Sequence, residues 1–115
     1  MTDIKRGQVY WFNLKKGCVE HKQSGRRPII IVQADELNDS GILTTLIIPT
    51  TTKERANDFD NVVLEKTSTP EESIALCSNM QIIDRYKIKK ENYICDVDPE
   101  DMKKIDEYLK NTLGM

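Results

Sequence analysis

The chain's one histidine, His21, opens a basic stretch: His21-Lys22-Gln23-Ser24-Gly25-Arg26-Arg27-Pro28. Histidine moves protons near neutral pH, with an unperturbed pKa of about 6.5. An arginine fork matches the geometry of phosphate oxygens. Two other polar sets stand out. Thr50-Thr51-Thr52 follows an apolar run, and Ser78-Asn79-Met80-Gln81 interrupts a hydrophobic hairpin. Polar groups placed against core strands need partners. If the three sets met at one end of the fold, they would surround a phosphate with a base, a guanidinium and hydroxyl donors. That chemistry is cleavage of RNA without metal. A base takes the 2′-OH proton, the oxygen attacks its own phosphorus, and an acid protonates the leaving 5′ oxygen. Arginine and hydroxyl donors meet the charge that builds on the phosphoryl oxygens. His21 suits either the base or the acid, and is equally an ordinary surface histidine. Arg27 precedes a strand-opening proline and is therefore better anchored than Arg26.

Other chemistries lack their signals. The sequence has no Walker A motif, no GxGxxG, no GxSxG and no HExxH. Cys18, Cys77 and Cys95 are far apart, form no CxxC pair and have one histidine for company, so neither a zinc site nor a disulfide framework is expected. They read as reduced thiols of a cytoplasmic protein, with Cys77 and Cys95 in the core. The carboxylates Asp98, Glu100 and Asp101 read as a helix start rather than a metal site. No metal or cofactor is expected. No apolar run approaches the length of a membrane span, and the N-terminal residues lack the apolar core of a signal peptide. Charge is uneven. Residues 1–34 hold seven Lys/Arg and two acids, a net of +5, so the remainder carries −7 within a total of −2. A basic end on an acidic body directs a polyanion to one surface.

These residues are carried by a chain of 115 residues, a normal size for one domain, here 1–115. The aromatic and β-branched segment Gln8–Leu14 predicts a strand entered through Gly7. Pro28–Ala34 predicts a second, and its unbroken Ile29-Ile30-Ile31-Val32 run implies burial on both faces. Pro28 suits a strand's first residue. Asp35–Gly41 reads as a short helical turn or loop. Further strands are expected over Leu43–Pro49, Asn61–Glu65, Ser73–Cys77, Met80–Asp84 and Tyr93–Val97, with Thr50–Thr52 leaving the third as a loop and Lys53–Asp58 polar. Asp98 is a candidate N-cap, Pro99 sits in the first turn, and Met102, Ile105, Tyr108 and Leu109 recur at helical spacing up to Gly114. The pattern predicts a mainly β (α+β) domain: a small antiparallel β-barrel with short helical insertions and a C-terminal α-helix.

Nearly the whole chain resembles the MazF/PemK/Kid toxins of bacterial toxin–antitoxin systems. Lys5-Arg6-Gly7-Gln8-Val9-Tyr10-Trp11 is similar to the family's opening RGD(I/V)YW strand. Gly25-Arg26-Arg27-Pro28-Ile29-Ile30-Ile31-Val32-Gln33 resembles its G-x-R-P segment, the most specific match. Ile48-Pro49-Thr50 resembles a P-(I/V)-T strand end, Ile82-Ile83-Asp84 the end of its RTID hairpin, and Asp101 to Gly114 its last helix. The resemblance implies an SH3-like barrel, a homodimer, and a sequence-selective endoribonuclease that cuts single-stranded RNA, mRNA included, to 2′,3′-cyclic phosphate and 5′-OH ends without metal. It implies a MazE-like antitoxin as partner, DNA contact only through that antitoxin, and no membrane. It places Arg27 and Thr50 as the catalytic pair, with His21 assisting. Lys22, Gln23, Ser24, Arg26, Thr51, Ser78, Asn79 and Gln81 become candidate substrate contacts. Departures are Glu20 and Lys22 in the GHEQ-like loop, and Ser78-Asn79 and Gln81 where the family has an acidic pair and the arginine of RTID. A hairpin carboxylate base therefore does not carry over. The alternative is a binding-only or inactive member of the fold. A CcdB-like gyrase poison is the less supported form, since the chain ends Leu113-Gly114-Met115 rather than in a Trp-Gly-Ile type ending.

Overall fold

The computed structural model describes residues 2–16, 24–52 and 61–115. His21, Lys22, Gln23, Cys18 and the polar segment 53–58 lie outside the described residues. In chain order the elements are β1 (Gln8–Leu14), β2 (Gly25–Ile31), α1 (Asp35–Asn38), β3 (Thr44–Thr51), β4 (Asn61–Val63), β5 (Ile74–Leu76), β6 (Gln81–Asp84), β7 (Tyr93–Asp96) and α2 (Pro99–Leu113). Short 3₁₀ turns at Arg85–Lys87 and Lys90–Asn92 join β6 to β7.

Every strand pairing is antiparallel. The order is β4-β5-β3-β2-β1-β7, with β6 alongside the first half of β3. β3 thus divides its free edge. Thr44–Ile47 pairs with β6, and Thr50-Thr51 pairs with β5. The expected mainly β class with a terminal helix stands, but the barrel does not close. Among the described residues, β4 and β7 end the strand order unpaired on their outer sides. α2 packs on β4 and covers that side of the core.

The central strands are buried on both faces, as their apolar runs require. Val9, Ile30 and Ile48 pack with Val62, Ala75 and the α2 residues Ile105 and Leu109. On the opposite face, Tyr10, Ile29, Ile31 and Ile47 pack with Ile4, Leu14 and Ile88. Each fully buried isoleucine contributes about 1.5–3 kcal/mol relative to leaving it exposed.

Chain entry and exit are tied at one point. Gly7 donates its N–H to Ile31 O at 2.8 Å and accepts from Val97 N–H at 2.7 Å. Its φ of +90° is one that only glycine adopts without strain. α2 starts as its sequence predicts. Asp98 accepts the Glu100 N–H at 2.9 Å, Pro99 occupies the first helical position, and Gly114 ends the helix in the left-handed region. Asp101 is fully buried. Its Oδ2 accepts from Lys66 N–H at 3.0 Å, Thr67 N–H at 2.7 Å and the Thr67 hydroxyl at 2.7 Å. This carboxylate fastens the segment after β4 to the helix.

Two expectations are corrected. β2 begins at Gly25, so Arg26 and Arg27 are strand residues and Pro28 lies mid-strand opposite Trp11. The proline is tolerated because its carbonyl points toward β3, where it accepts the Thr50 hydroxyl. The nitrogen of an extended residue points the same way as its carbonyl, and the β2–β3 ladder starts only at Ile29. No ladder bond is lost. Likewise Thr50 and Thr51 belong to β3 rather than to a loop, since β5 pairs with them.

Candidate active site

Arg27 owes its position to β2. Its Nε and Nη2 donate to Ser24 O, and its Nη1 donates to Thr50 O at 3.1 Å. The guanidinium is therefore held between the start of its own strand and the end of β3. Thr50 is 1% exposed. Its carbonyl takes the arginine and its hydroxyl donates to Pro28 O at 2.8 Å. One threonine thus fixes both the strand pair and the cation.

A cavity of about 320 Å³ opens beside this pair. Arg26, Arg27 and Pro28 of β2, Thr50, Thr51 and Thr52 at the end of β3, and Trp11 of β1 form its walls. Pro70, Glu71 and Ser73 complete it from the turn before β5. That turn is pinned. The Glu71 carbonyl accepts from the hydroxyls of Thr69 and Ser73, and the Thr69 hydroxyl also lies 3.1 Å from that of Ser73. The Arg26 guanidinium stands over the Trp11 ring, 5.4 Å from its centroid. The cavity therefore offers two guanidiniums, a row of threonines and, among its described lining residues, one carboxylate, Glu71.

The structure brings Arg27, Thr50, Thr51 and Arg26 together. Ser24 lies beside them and contributes a backbone carbonyl to Arg27. Gln81 goes elsewhere. It lines a separate depression of about 210 Å³ with Phe12, Asn13, Lys15 and Asp84. Ser78 and Asn79 belong to the turn after β5, where Asn79 N–H bonds Leu76 O at 3.1 Å, and line neither cavity. Trp11 and Glu71 also line the cavity, and no sequence motif marks them for it. Trp11 carries an aromatic-strand signal but nothing that points it at Arg26. Glu71 stands in an ordinary polar turn. Cys77 is fully buried, and burial pushes the partly buried Cys95 thiol up, which keeps it protonated and unreactive.

The site is thus an arginine held by backbone carbonyls beside threonines, in an open cavity on a small antiparallel fold. Comparison with known proteins agrees in fold. No curated protein sequence matches the chain. Among solved structures, MazF from Deinococcus radiodurans superposes with a TM-score of 0.80 at 19% identity, covering 100% of both chains. An endoribonuclease from a mycobacterial species gives 0.77 at 23% identity, over 100% of this chain and 95% of that one. A mycobacterial endoribonuclease in complex with its cognate antitoxin gives 0.74 at 23% identity, over 100% of this chain and 97% of that one. Residues 5–113 match the family pattern of the PemK-like, MazF-like toxins, and that span takes in Arg27, Thr50, Trp11 and Glu71 alike. From its first strand to its last helix, the chain belongs to the PemK-like, MazF-like toxins of type II toxin–antitoxin systems.

Proposed function

We propose that this protein is an endoribonuclease toxin that cuts single-stranded RNA, mRNA included, at selected sequences and needs no metal to do so. The observation that carries the reading is Arg27 fixed by Ser24 O and Thr50 O at the wall of an open cavity. A preorganised cation pays no reorganisation cost as charge develops, which is how donor groups of this kind lower a barrier.

In the proposed reaction the scissile phosphate enters the cavity beside Arg27. The 2′-oxygen forms a bond to phosphorus as the P–O5′ bond breaks. Arg27 meets the negative charge on the non-bridging oxygens. The Thr50 hydroxyl, on Pro28 O in the free protein, turns to the phosphate as a second donor. Glu71 is the described lining carboxylate and takes the 2′-OH proton as general base. His21 assists by giving a proton to the departing 5′ oxygen. The products are a 2′,3′-cyclic phosphate and a 5′-OH. Lys22, Gln23, Thr51 and Arg26 bind RNA around the cut. Ser78, Asn79 and Gln81 do not line the cavity and serve, in this reading, the flanking strand.

The family also supports a homodimer in the cytoplasm and a MazE-like antitoxin that blocks the RNA surface. Solved relatives include MazE–MazF complexes from Deinococcus radiodurans. The test is incubation of the purified protein with a long single-stranded RNA in EDTA. Discrete fragments whose 5′ ends accept phosphate from polynucleotide kinase without prior phosphatase are expected. Intact RNA from a folded, antitoxin-free preparation would refute the activity.

A further inference from the structure

The two adjacent arginines of β2 live in different surroundings. Arg27 is bound to backbone carbonyls. Arg26 is exposed and, among the described residues, no carboxylate or carbonyl holds it. Its partner is the Trp11 ring, 5.4 Å from Cζ to centroid. The register explains the meeting. Trp11 lies opposite Pro28 and Asn13 opposite Arg26, so Trp11 and Arg26 are diagonal neighbours on one face of the β1–β2 pair. Both line the cavity that contains Arg27.

A guanidinium over an indole face joins positive charge to an aromatic surface. Nothing in the core requires it. The β1–β2 ladder is complete without it, and neither buried cluster includes either residue. A cationic, aromatic surface beside Arg27 fits the unstacked base of a single strand, which binds proteins by lying on aromatic rings and arginine planes. An acidic peptide would need the charge of Arg26 but not the ring beneath it.

We propose that the Trp11–Arg26 pair is a nucleobase shelf, holding the unpaired base next to the scissile phosphate while Arg27 holds the phosphate itself. The inference rests on the RNA-cleavage reading and adds a specificity-determining site to it. The shelf acts on binding, so its loss moves KM more than kcat.

Trp11 is the chain's one tryptophan, so its emission reports on the shelf directly. The probe is an oligonucleotide spanning a mapped cut, made uncleavable by a single 2′-deoxy sugar at the nucleotide that would attack. Titration of the wild-type protein is expected to quench Trp11 saturably. A probe abasic beside the scissile phosphate is expected to leave the emission unmoved. Arg26→Ala and Trp11→Ala are each expected to raise KM about 10-fold with kcat within about twofold, the size of one lost base stack. Arg26→Lys, a point charge without a plane, is expected to behave like Arg26→Ala. Should Trp11→Ala fail to fold, Trp11→Phe and the surface variants of Arg26 carry the kinetic test. Unmoved emission, equal quenching by the abasic probe, or wild-type KM in Arg26→Lys overturns the shelf. So does a loss confined to antitoxin affinity, which would make the pair a peptide contact. A wild-type protein that cuts no RNA removes the parent reading and the shelf with it. A wild-type protein that cuts, with variants that cut equally well, removes the shelf alone.

Discussion

Removing the Arg27 guanidinium takes donors from the Ser24 and Thr50 carbonyls but opens no core cavity, because the side chain lies at the wall of an open pocket. Arg27→Ala is therefore expected to stay folded, losing about 1–2 kcal/mol in a urea titration, while cleavage falls below detection. Thr50 separates shape from hydroxyl. Thr50→Val fills the same space and leaves Pro28 O without its donor, whereas Thr50→Ser keeps it. Single-turnover rates are expected to drop about 10²-fold or more for valine and to stay near wild type for serine. Equal rates in the two variants would confine Thr50 to a structural role. His21→Ala is expected to slow cleavage without abolishing it, and complete loss would make the histidine indispensable. The residues behind these expectations differ in how readable they are. Arg27 is marked by the proline and the isoleucine run after it. Thr50 is marked by the end of another apolar run. Trp11 and Glu71 reach the same cavity from a distant strand and a distant turn, and no local pattern states that meeting.

At the scale of elements, existence and type are legible and edges are not. Seven strands and the terminal helix follow from alternating or continuous apolar runs and from the Asp98-Pro99 start. The edges of β2 and β3 move because pairing overrides residue preference. β1 continues to Leu14 and draws Gly25, Arg26 and Arg27 into register with it, and β5 does the same for Thr50 and Thr51. The open strand order is a property no single segment carries: β4 and β7 end it, and α2 covers the β4 side. That covering depends on Asp101. Asp101→Ala would leave the Lys66 and Thr67 N–H groups and the Thr67 hydroxyl without their acceptor in a buried place. The expected loss in a urea titration is about 3 kcal/mol, with Asp101→Asn losing less because it keeps an acceptor oxygen. A change under about 0.5 kcal/mol for alanine would mean that this contact does not hold α2 to the body.

For the whole molecule, Arg26 and Arg27 of the basic N-terminal third line one cavity with threonines and Glu71 of the acidic remainder. Exposed apolar side chains lie on another part of the surface, Leu43 and Ile82 on the paired β3 and β6 region and Tyr86 just after it. A homodimer is expected to cover such residues, and sedimentation should give twice the chain mass. The central claim, attack by the RNA's own 2′-OH at a phosphate held by Arg27, has a more direct test. Two oligoribonucleotides carrying the same mapped site are compared, one all-ribose and one with a single 2′-deoxy sugar 5′ to the cut. Wild-type protein in EDTA is predicted to cut the first and leave the second whole, and folded Arg27→Ala is predicted to cut neither. Cleavage of the deoxy substrate, or wild-type cleavage of the ribose substrate by Arg27→Ala, would contradict the account.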